Sequence, residues 1–558
     1  MAPDGQASVF KVSGSGRFRQ SQEDILLSTN NKKLTGAAVI VMSSLVISRI
    51  TGYVRTILIN NLLNASQSDS LLAAFRTTDL MYNLLIGGAI SAALIPILSG
   101  YIARKEEEDG WKAVGTFINV IFLAMLVVST LGVLFAPWVV SMTASGLKGE
   151  VRETTIQLTR ILFPSVGFMM LAGMTNGVLN SYQRFAAAAY GPSLYNLGTA
   201  LSIFVLSRYG VKYVAFGVLA SAVMYFIIQI SFALPNFKFY KVRILWGHSG
   251  FRRLFRLAIP SLAASAVVQI NILISQNFIS LFEKEGNITA YYNANDLWQL
   301  PYGIFAMGLG TALLPTLSEK LALRQVDEFK NILNSAFKTI LYLIIPSAVA
   351  FLIIPRPLIS VVYKWSGNIN HERIITAGSV LMLFTAAMIA QSMLAILNRA
   401  FYANNDTKTP LYAGTAAIVL NFAFCSVFLY GTKLGPAGMS LAYSIQSIVN
   451  MSVMMFMLSR KMDGMGWRRL LRYTLKLFGA AAIMGAVIWT MDRFIPIDFS
   501  QDFSLHSKAL EIIALGIEIA VGAAVYLGCT MLLKVEEALA FKNKVFARLG
   551  RFRGKTRQ

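Results

Sequence analysis

Long apolar segments alternate with short polar connections along most of the 558 residues. Fourteen of these segments are long enough to cross, as helices, the roughly 30 Å hydrocarbon core of a bilayer. They are residues 34–62, 69–103, 113–140, 154–182, 186–207, 214–235, 254–282, 289–318, 329–355, 375–403, 409–430, 435–459, 470–491 and 509–533. The pattern predicts an all-α polytopic membrane protein with about 14 transmembrane helices, because a helix bonds its own backbone groups within lipid.

Composition excludes the common soluble classes. Of the residues, 55% are hydrophobic and 14% are charged, whereas a soluble domain carries roughly 25% charged residues. The net charge of +23 would suggest nucleic acid as the partner of a soluble protein. In an apolar chain the same excess is typical of cytoplasmic loops beside anionic lipid. We therefore expect membrane lipid, and not nucleic acid, around this protein.

The distribution of lysine and arginine predicts the orientation in the membrane. Basic residues cluster in the connections after the sixth, eighth and twelfth segments, whereas residues 63–68 have none and residues 431–434 have only Lys433. The positive-inside rule then places both termini in the cytoplasm. Residues 1–33 lack the apolar core of a signal peptide, so they are predicted to form a polar cytoplasmic tail. Residues 534–558 are predicted to form a second, basic tail.

An internal repeat predicts the architecture. Residues 93–99 match residues 312–318, which places Pro96 on Pro315, and other short matches follow in the same order at an offset of about 218 residues. Six predicted spans separate the copies, so both copies have the same orientation. We expect two parallel six-helix bundles, with two additional helices after them, an arrangement suited to alternating access. The predicted units are residues 34–235, a basic cytoplasmic linker at 236–253, residues 254–459, and the additional pair at 470–533.

Two arginines in the first predicted span are candidate substrate ligands. Arg49 lies about 22 Å from the start of the span at 1.5 Å per residue, where a charge needs a wet cavity or an acidic partner. Arg55 lies about 120° further round a straight helix, and a bend at Gly52 would bring both arginines toward one cavity. The alternatives are an ion pair between Arg49 and an intramembrane acid, Asp79 or Asp296, and snorkelling of Arg55 to the far interface.

Further charges lie in the second and eighth spans. Asp69, Arg76 and Asp79 lie roughly on one face of the second span, and Asp296 lies in a polar part of the eighth. Such residues favour a water-lined pathway over lipid contact, and the alternative is a buried polar network between the bundles. Because arginine binds phosphate with two parallel hydrogen bonds, its presence suggests an anionic headgroup, such as a phosphate or pyrophosphate on a lipid carrier. A carboxylate would fit almost as well.

The sequence gives no reason to expect an enzyme. It contains no phosphate-binding loop for ATP, no nucleophile–base arrangement and no spacing typical of metal ligands. Cys425 and Cys529 lie far apart in apolar segments. We expect neither catalytic residues nor a metal or cofactor, and we expect a membrane potential or an ion gradient to drive the protein. Asp69, Asp79 and Asp296 are the candidates to carry a coupling ion.

Six short motifs resemble the MurJ/MviN-type lipid II flippases, a branch of the superfamily of multidrug and oligosaccharidyl-lipid exporters. They are residues 48–55, 64–76, 160–164, 179–185, 299–301 and, most specifically, 399–410, which reads Arg-Ala-Phe-Tyr-Ala-Asn-Asn-Asp-Thr-Lys-Thr-Pro. The resemblance implies movement of undecaprenyl-pyrophosphate-linked peptidoglycan precursor from the inner to the outer leaflet of the bacterial cytoplasmic membrane. It also implies that Arg49 and Arg55 hold the headgroup and that Asp69 is the aspartate that the family has at the start of its second span. The additional helices would form a groove for the lipid tail.

The chain departs from the family at the expected cavity arginines. Tyr82 and Asn83 stand where well-known members have paired arginines, and Asp296 stands where they have another. Arg76 is then a third candidate ligand for the pyrophosphate. The alternatives are a flippase for another polyprenyl-linked glycan, a cation-coupled drug exporter of the same superfamily, and a scaffold that recruits cell-wall synthesis proteins.

Overall fold

A computed structural model describes residues 43–44, 46–86, 93–494 and 503–539. The predicted tail at 1–33, the start of the first predicted span and most of the predicted tail at 534–558 lie outside these residues. The fold of the described part is all-α.

The helices are, in chain order, α1 (46–62), α2 (Ala65–Ile86), α3 (Ile95–Ala103), α4 (Glu107–Leu134), α5 (Ala136–Thr143), α6 (Gly149–Ser181), α7 (Phe185–Ala189), α8 (Gly191–Leu206), α9 (Val211–Ala233), α10 (Ser249–Ser280), α11 (Asn287–Pro301), α12 (Gly308–Ala322), α13 (Val326–Ile353), α14 (Pro355–Tyr363), α15 (His371–Ala403), α16 (Lys408–Gly431), α17 (Pro436–Lys461), α18 (Trp467–Phe494) and α19 (Leu505–Leu532). A π-helical turn, Tyr302–Met307, joins α11 to α12.

Each of the fourteen predicted segments overlaps at least one of these helices. Ten helical segments are long and apolar enough to cross a membrane, which confirms an all-α polytopic fold. Four predicted spans lack a helix that meets this criterion among the described residues, namely those that contain α1, α2 with α3, α8 and α10. The count of 14 spans stays a prediction. The short helices α5 and α14 were not predicted as separate elements, since each directly follows a long apolar helix and continues its apolar pattern.

The two bundles are built from the same series of helices, as the repeat predicts. In the first, α2 and α3 are followed by the 28-residue α4, the short α5 and the 33-residue α6. In the second, α11 and α12, which the π-helical turn joins, are followed by the 28-residue α13, the short α14 and the 33-residue α15. Residues 93–94, before α3, are π-helical like the turn before α12. The exact boundaries of the predicted units stay a prediction.

The longest helix of each bundle lies at its centre. α6 packs against α2, α4 and α9, and α15 packs against α11, α13 and α17. Small residues let neighbours approach closely, as is common between membrane helices. A side chain at Gly191, for example, would meet Tyr225 and Gln229 of α9. α10 contacts both bundles, with α2 and α4 on one side and α16 on the other.

The additional helices, α18 and α19, pack on α13 and α14 of the second bundle. A buried ion pair fixes α19 to α14. Lys508 is 3% exposed. Its ammonium donates to Glu511 Oε2 at 2.8 Å and to the Ser360 carbonyl oxygen at 2.7 Å. The Ser360 hydroxyl donates to the same carboxylate oxygen at 3.1 Å. Both charges are therefore compensated where water does not reach.

Replacing Lys508 with methionine should destabilise the protein more than replacing both members of the pair. The single change leaves the Glu511 carboxylate buried without its cation, which typically costs about 3–5 kcal/mol, whereas an apolar pair of similar volume is often neutral. We expect Lys508→Met to lower the melting temperature in detergent and Lys508→Met/Glu511→Leu to restore most of it. Lys338→Met, which breaks a more exposed pair with Glu536, is the control and should change little. Equal melting temperatures for the single and double variants would contradict this account.

Candidate functional site

Hydrogen bonds join the two bundles at the end that carries the connections at 63–64 and 281–286, called the turn end below. The buried Asp69 carboxylate accepts from the Gly286 backbone N–H at 2.6 Å and from the Thr289 N–H at 2.8 Å. It also accepts from the Thr289 hydroxyl at 2.5 Å. Three donors compensate the buried charge, so α2 of the first bundle is held against the start of α11 in the second.

A second layer of contacts lies beside this one. Asn60 and Asn293 exchange side-chain hydrogen bonds of 3.0 and 2.8 Å between α1 and α11, and both are buried. Asn61 donates to the Tyr363 carbonyl oxygen and accepts from the Trp365 N–H, both at 2.7 Å. Breaking these bonds without new partners would leave buried amides unsatisfied. The bundles are therefore closed against each other at the turn end.

A polar cavity of about 290 Å³ lies between the bundles, further from the turn end. Its lining residues are Ser48, Arg49, Gly52, Tyr53, Arg55, Thr56, Arg76, Asn196, Asp296 and Gln299. Three arginines face one aspartate, so the formal charge of the lining is positive. The structure thus brings together four of the six candidate residues: Arg49, Arg55, Arg76 and Asp296.

The two arginines of α1 share this cavity although they are six residues apart. Asn196 of α8 lies beside Gly52, where a side-chain carbon would be 3.6 Å from the Asn196 amide nitrogen. Arg55 Nη1 donates to Asn196 Oδ1 at 3.2 Å, and its guanidinium lies 5.6 Å from the centre of the Phe75 ring. The buried Arg55 Nε has no partner. Arg49 is exposed and extends toward Gly303 of the second bundle. Both guanidinium groups retain donors for an anion.

Arg76 and Asp296 form an ion pair between the bundles. Arg76 Nη2 lies 3.3 Å from Asp296 Oδ1, and the guanidinium stacks 4.3 Å from the centre of the Tyr292 ring. Tyr53 of α1 donates to the Asp296 carbonyl oxygen at 2.7 Å. Asp296 therefore pairs with Arg76, and not with Arg49 as one alternative had it. A carboxylate of the protein occupies the position at Arg76 that a phosphate oxygen would take.

Asp69 and Asp79 do not line the cavity. The Asp69 carboxylate instead accepts the hydrogen bonds from Gly286 and Thr289 at the turn end. Asp79 lies one helical turn from Arg76 and makes no ion pair within the described part of the chain, although it is within electrostatic range of Arg76 and Arg55. Tyr82, at a departure from the family, packs its ring against the core of the first bundle.

Sequence reasoning missed most of the neutral members of the site. Tyr53, Thr56 and Asn196 line the cavity but carry no charge to distinguish them. One signal was available, because Tyr53 lies four residues after Arg49 and therefore on the same helical face. Asn196 had a weaker one, as an amide in the middle of an apolar segment.

The most specific motif, residues 399–410, lies at the opposite end from the turn end and has a structural role there. Asp406 Oδ1 accepts from the Thr409 N–H at 3.0 Å, and Oδ2 accepts from the Thr409 hydroxyl at 2.6 Å and from Lys461. Burial alone would raise the pKa of Asp406, but these hydrogen bonds lower it to about 2. The carboxylate caps the start of α16 and ties it to the end of α17.

The fold and the site define a polytopic transporter, in which two repeated helical bundles enclose a positively charged cavity. A family model described as "Lipid II flippase MurJ" matches residues 59–509. The chain therefore belongs to the MurJ family. Together with its apolar helices, this makes it a multi-pass protein of the bacterial inner membrane.

Similar proteins support this assignment. The lipid II flippase MurJ of Burkholderia cenocepacia is 29% identical over 479 residues, which cover 81% of this chain and 90% of that protein. The probable lipid II flippase MurJ of Vibrio cholerae is 26% identical over 91% of this chain and 97% of its own length.

Solved structures show the same fold. A lipid II flippase MurJ in an inward closed conformation has a TM-score of 0.73 at 24% identity, covering 89% of this chain and 98% of that one. An inward-facing multidrug resistance MATE family transporter has a TM-score of 0.65 at 14% identity, and the match covers 76% of this chain and 98% of that one. At these identities the likeness concerns the fold alone.

Proposed function

We propose that this protein moves lipid II, the undecaprenyl-pyrophosphate-linked peptidoglycan precursor, from the inner to the outer leaflet of the membrane. The observation that carries the proposal is the arginine-lined cavity between two bundles that are closed against each other at one end. The names of the relatives point to the same substrate. Both termini would then be cytoplasmic, and the turn end would face outward.

The arrangement supports an alternating-access cycle. Arg49 and Arg55 would bind the pyrophosphate with their unused donors, more strongly in the cavity than in bulk water because the local dielectric constant is lower. A cavity of about 290 Å³ is at the small end of ligand sites, so a disaccharide with its peptide requires the bundles to separate. Opening away from the turn end would admit the headgroup, and rupture of the Asp69 and Asn60 contacts would release it outward.

We further propose that a membrane potential or an ion gradient drives the cycle. One charge crossing 100 mV is worth about 2.3 kcal/mol. Asp79 is favoured over Asp69 as an ion carrier, because the three hydrogen bonds to Asp69 already compensate its charge. Cell-wall synthesis proteins are candidate partners on the substrate side.

One observation favours a second candidate, a flippase for another polyprenyl-linked glycan. Asp296 replaces an arginine of well-known family members and pairs with Arg76, which leaves fewer free cations for a pyrophosphate. The positive cavity favours either of these substrates over the cations that a drug exporter binds.

Complementation distinguishes the two candidates. The test is growth of a bacterium depleted of its own lipid II flippase, with the tagged wild-type chain expressed and its membrane level measured. We expect rescue of growth, and we expect lipid II in the outer leaflet to be accessible to an externally added toxin that binds or cleaves it. A well-expressed chain that leaves lipid II in the inner leaflet would contradict the proposal and direct binding assays to other lipid-linked glycans.

A further inference from the structure

One carboxyl group in the additional helices has no partner. Glu518 lies near the middle of α19, its side chain is 0% exposed, and neither Oε1 nor Oε2 accepts or donates a hydrogen bond. The contrast with Glu511, two turns earlier on the same helix, is direct. Glu511 is also buried but has Lys508 and Ser360 as partners. Both glutamates are therefore buried, but only the Glu511 carboxylate has a cation and a hydrogen-bond donor beside it.

The neighbouring helices supply a second acid and not a cation. α18 packs against α19 so closely that a side chain at Gly522 would meet Ile488 and Met484. Asp492, one turn further along α18, is an acid within electrostatic range of Glu518. It lies at the turn end of α18 and is half-buried.

The other two helices against α19 leave Glu518 uncompensated as well. On α14, Arg356 lies within electrostatic range of Asp492, and Lys364, the residue after α14, lies toward Lys508. On α13, Tyr342 accepts a hydrogen bond from Tyr526 through its carbonyl oxygen, two turns beyond Glu518. Within the described residues, a cation lies in electrostatic range of Asp492, whereas no cation lies within hydrogen-bonding distance of Glu518.

These contacts decide the charge state of Glu518. An ionised carboxylate that is buried without partners pays a desolvation cost of many kcal/mol, so such a group binds a proton instead. A second carboxylate nearby adds repulsion and favours the neutral form further. The adjacent acid, Asp492, is only half-buried near the end of α18 and lies within electrostatic range of Arg356, so it is the better solvated of the two and the one that we expect to stay charged.

We propose that Glu518 is an exchangeable proton-binding site in the α18–α19 pair, and that it takes up and releases its proton through Asp492 at the turn end. The ligand is a proton, which bonds to one carboxylate oxygen of Glu518 and leaves as hydronium when α18 and α19 move apart and water enters. The site is separate from the arginine cavity. It gives the additional helices a role in responding to a proton gradient.

Infrared difference spectroscopy of the purified full chain tests this proposal without substrate, so the outcome is independent of the proposed function. We expect a C=O stretching band of a protonated carboxylic acid in acidic buffer that disappears in alkaline buffer and is missing from Glu518→Gln. Asp492→Asn should slow the exchange of that band. Glu511→Gln is the matched control and should leave the band intact, because the Glu511 carboxylate is paired with Lys508.

Two results would overturn the proposal. One is the absence of any carboxylic acid band that Glu518→Gln removes, which would mean that Glu518 is ionised. The other is a band that persists unchanged in alkaline buffer, which would mean a permanently neutral acid. Because Gln has nearly the same shape as a protonated Glu, the variant should fold, and its melting temperature verifies this. Labelling by a lipophilic carbodiimide, which adds to protonated carboxyls, should modify Glu518 and spare Glu511.

Discussion

Replacing Arg55 with alanine should abolish rescue of a flippase-depleted bacterium while leaving the protein in the membrane at normal levels. The Arg55 guanidinium has a buried Nε with no partner and one bond to Asn196, so its remaining donors are free for an anion. Hydrogen bonds to a charged group contribute about 1.5–3 kcal/mol each, so one lost contact weakens binding roughly 10- to 150-fold. We expect a similar loss for Arg49→Ala.

Two further variants make the result specific. Arg55→Lys keeps the charge but not the planar fork, so it should rescue growth only in part. Arg160→Ala is the matched control, because Arg160 also lies in a spanning helix but is exposed and does not line the cavity; it should rescue fully. Full rescue by Arg49→Ala and Arg55→Ala at normal expression would contradict the assignment of these residues while leaving the transport function intact.

The sequence predicted the fold more completely than the site. Helices could be predicted because lipid leaves the backbone little alternative, and the repeat fixed their order in both bundles. Arg49, Arg55 and Arg76 were identifiable because a charge inside a span is costly and needs a cavity. Their neutral neighbours could not be identified in this way. Asn196 contacts Arg55 only because α1 packs against α8, and Tyr53 contacts Asp296 only because α1 packs against α11.

The grouping of Asp69, Arg76 and Asp79 on one helical face was too coarse. At 100° per residue, Arg76 is turned only about 20° from Asp69, whereas Asp79 is turned about 80° from Asp69 and about 60° from Arg76. This rotation is enough to place Asp79 outside the cavity that Arg76 lines. The pairing of Arg76 with Asp296 could not be predicted either, because it depends on how the bundles meet and not on the pattern within either one.

A disulfide across the turn end should stop transport completely and reversibly. Ser145, in the connection before α6, donates to Asn277 near the end of α10 at 3.0 Å, and both side chains are accessible to reagents. Gly146 in the same connection donates to the Ser280 hydroxyl at 3.1 Å. We expect Ser145→Cys/Asn277→Cys, in a background lacking Cys425 and Cys529, to lose lipid II translocation on oxidation and to regain it on reduction.

The reason is that alternating access requires these contacts to break once per cycle. A covalent bond between the connection before α6 and α10 holds the first bundle to the second at the turn end, so the cavity cannot open there. Each single-cysteine variant should translocate normally under oxidant. Ser202→Cys/Ser221→Cys, whose hydroxyls lie 3.3 Å apart on α8 and α9, is the matched control, because its bond forms within one bundle and leaves the bundles free to separate. Complete cross-linking of residues 145 and 277 with undiminished translocation would mean that the headgroup leaves the cavity without opening the turn end.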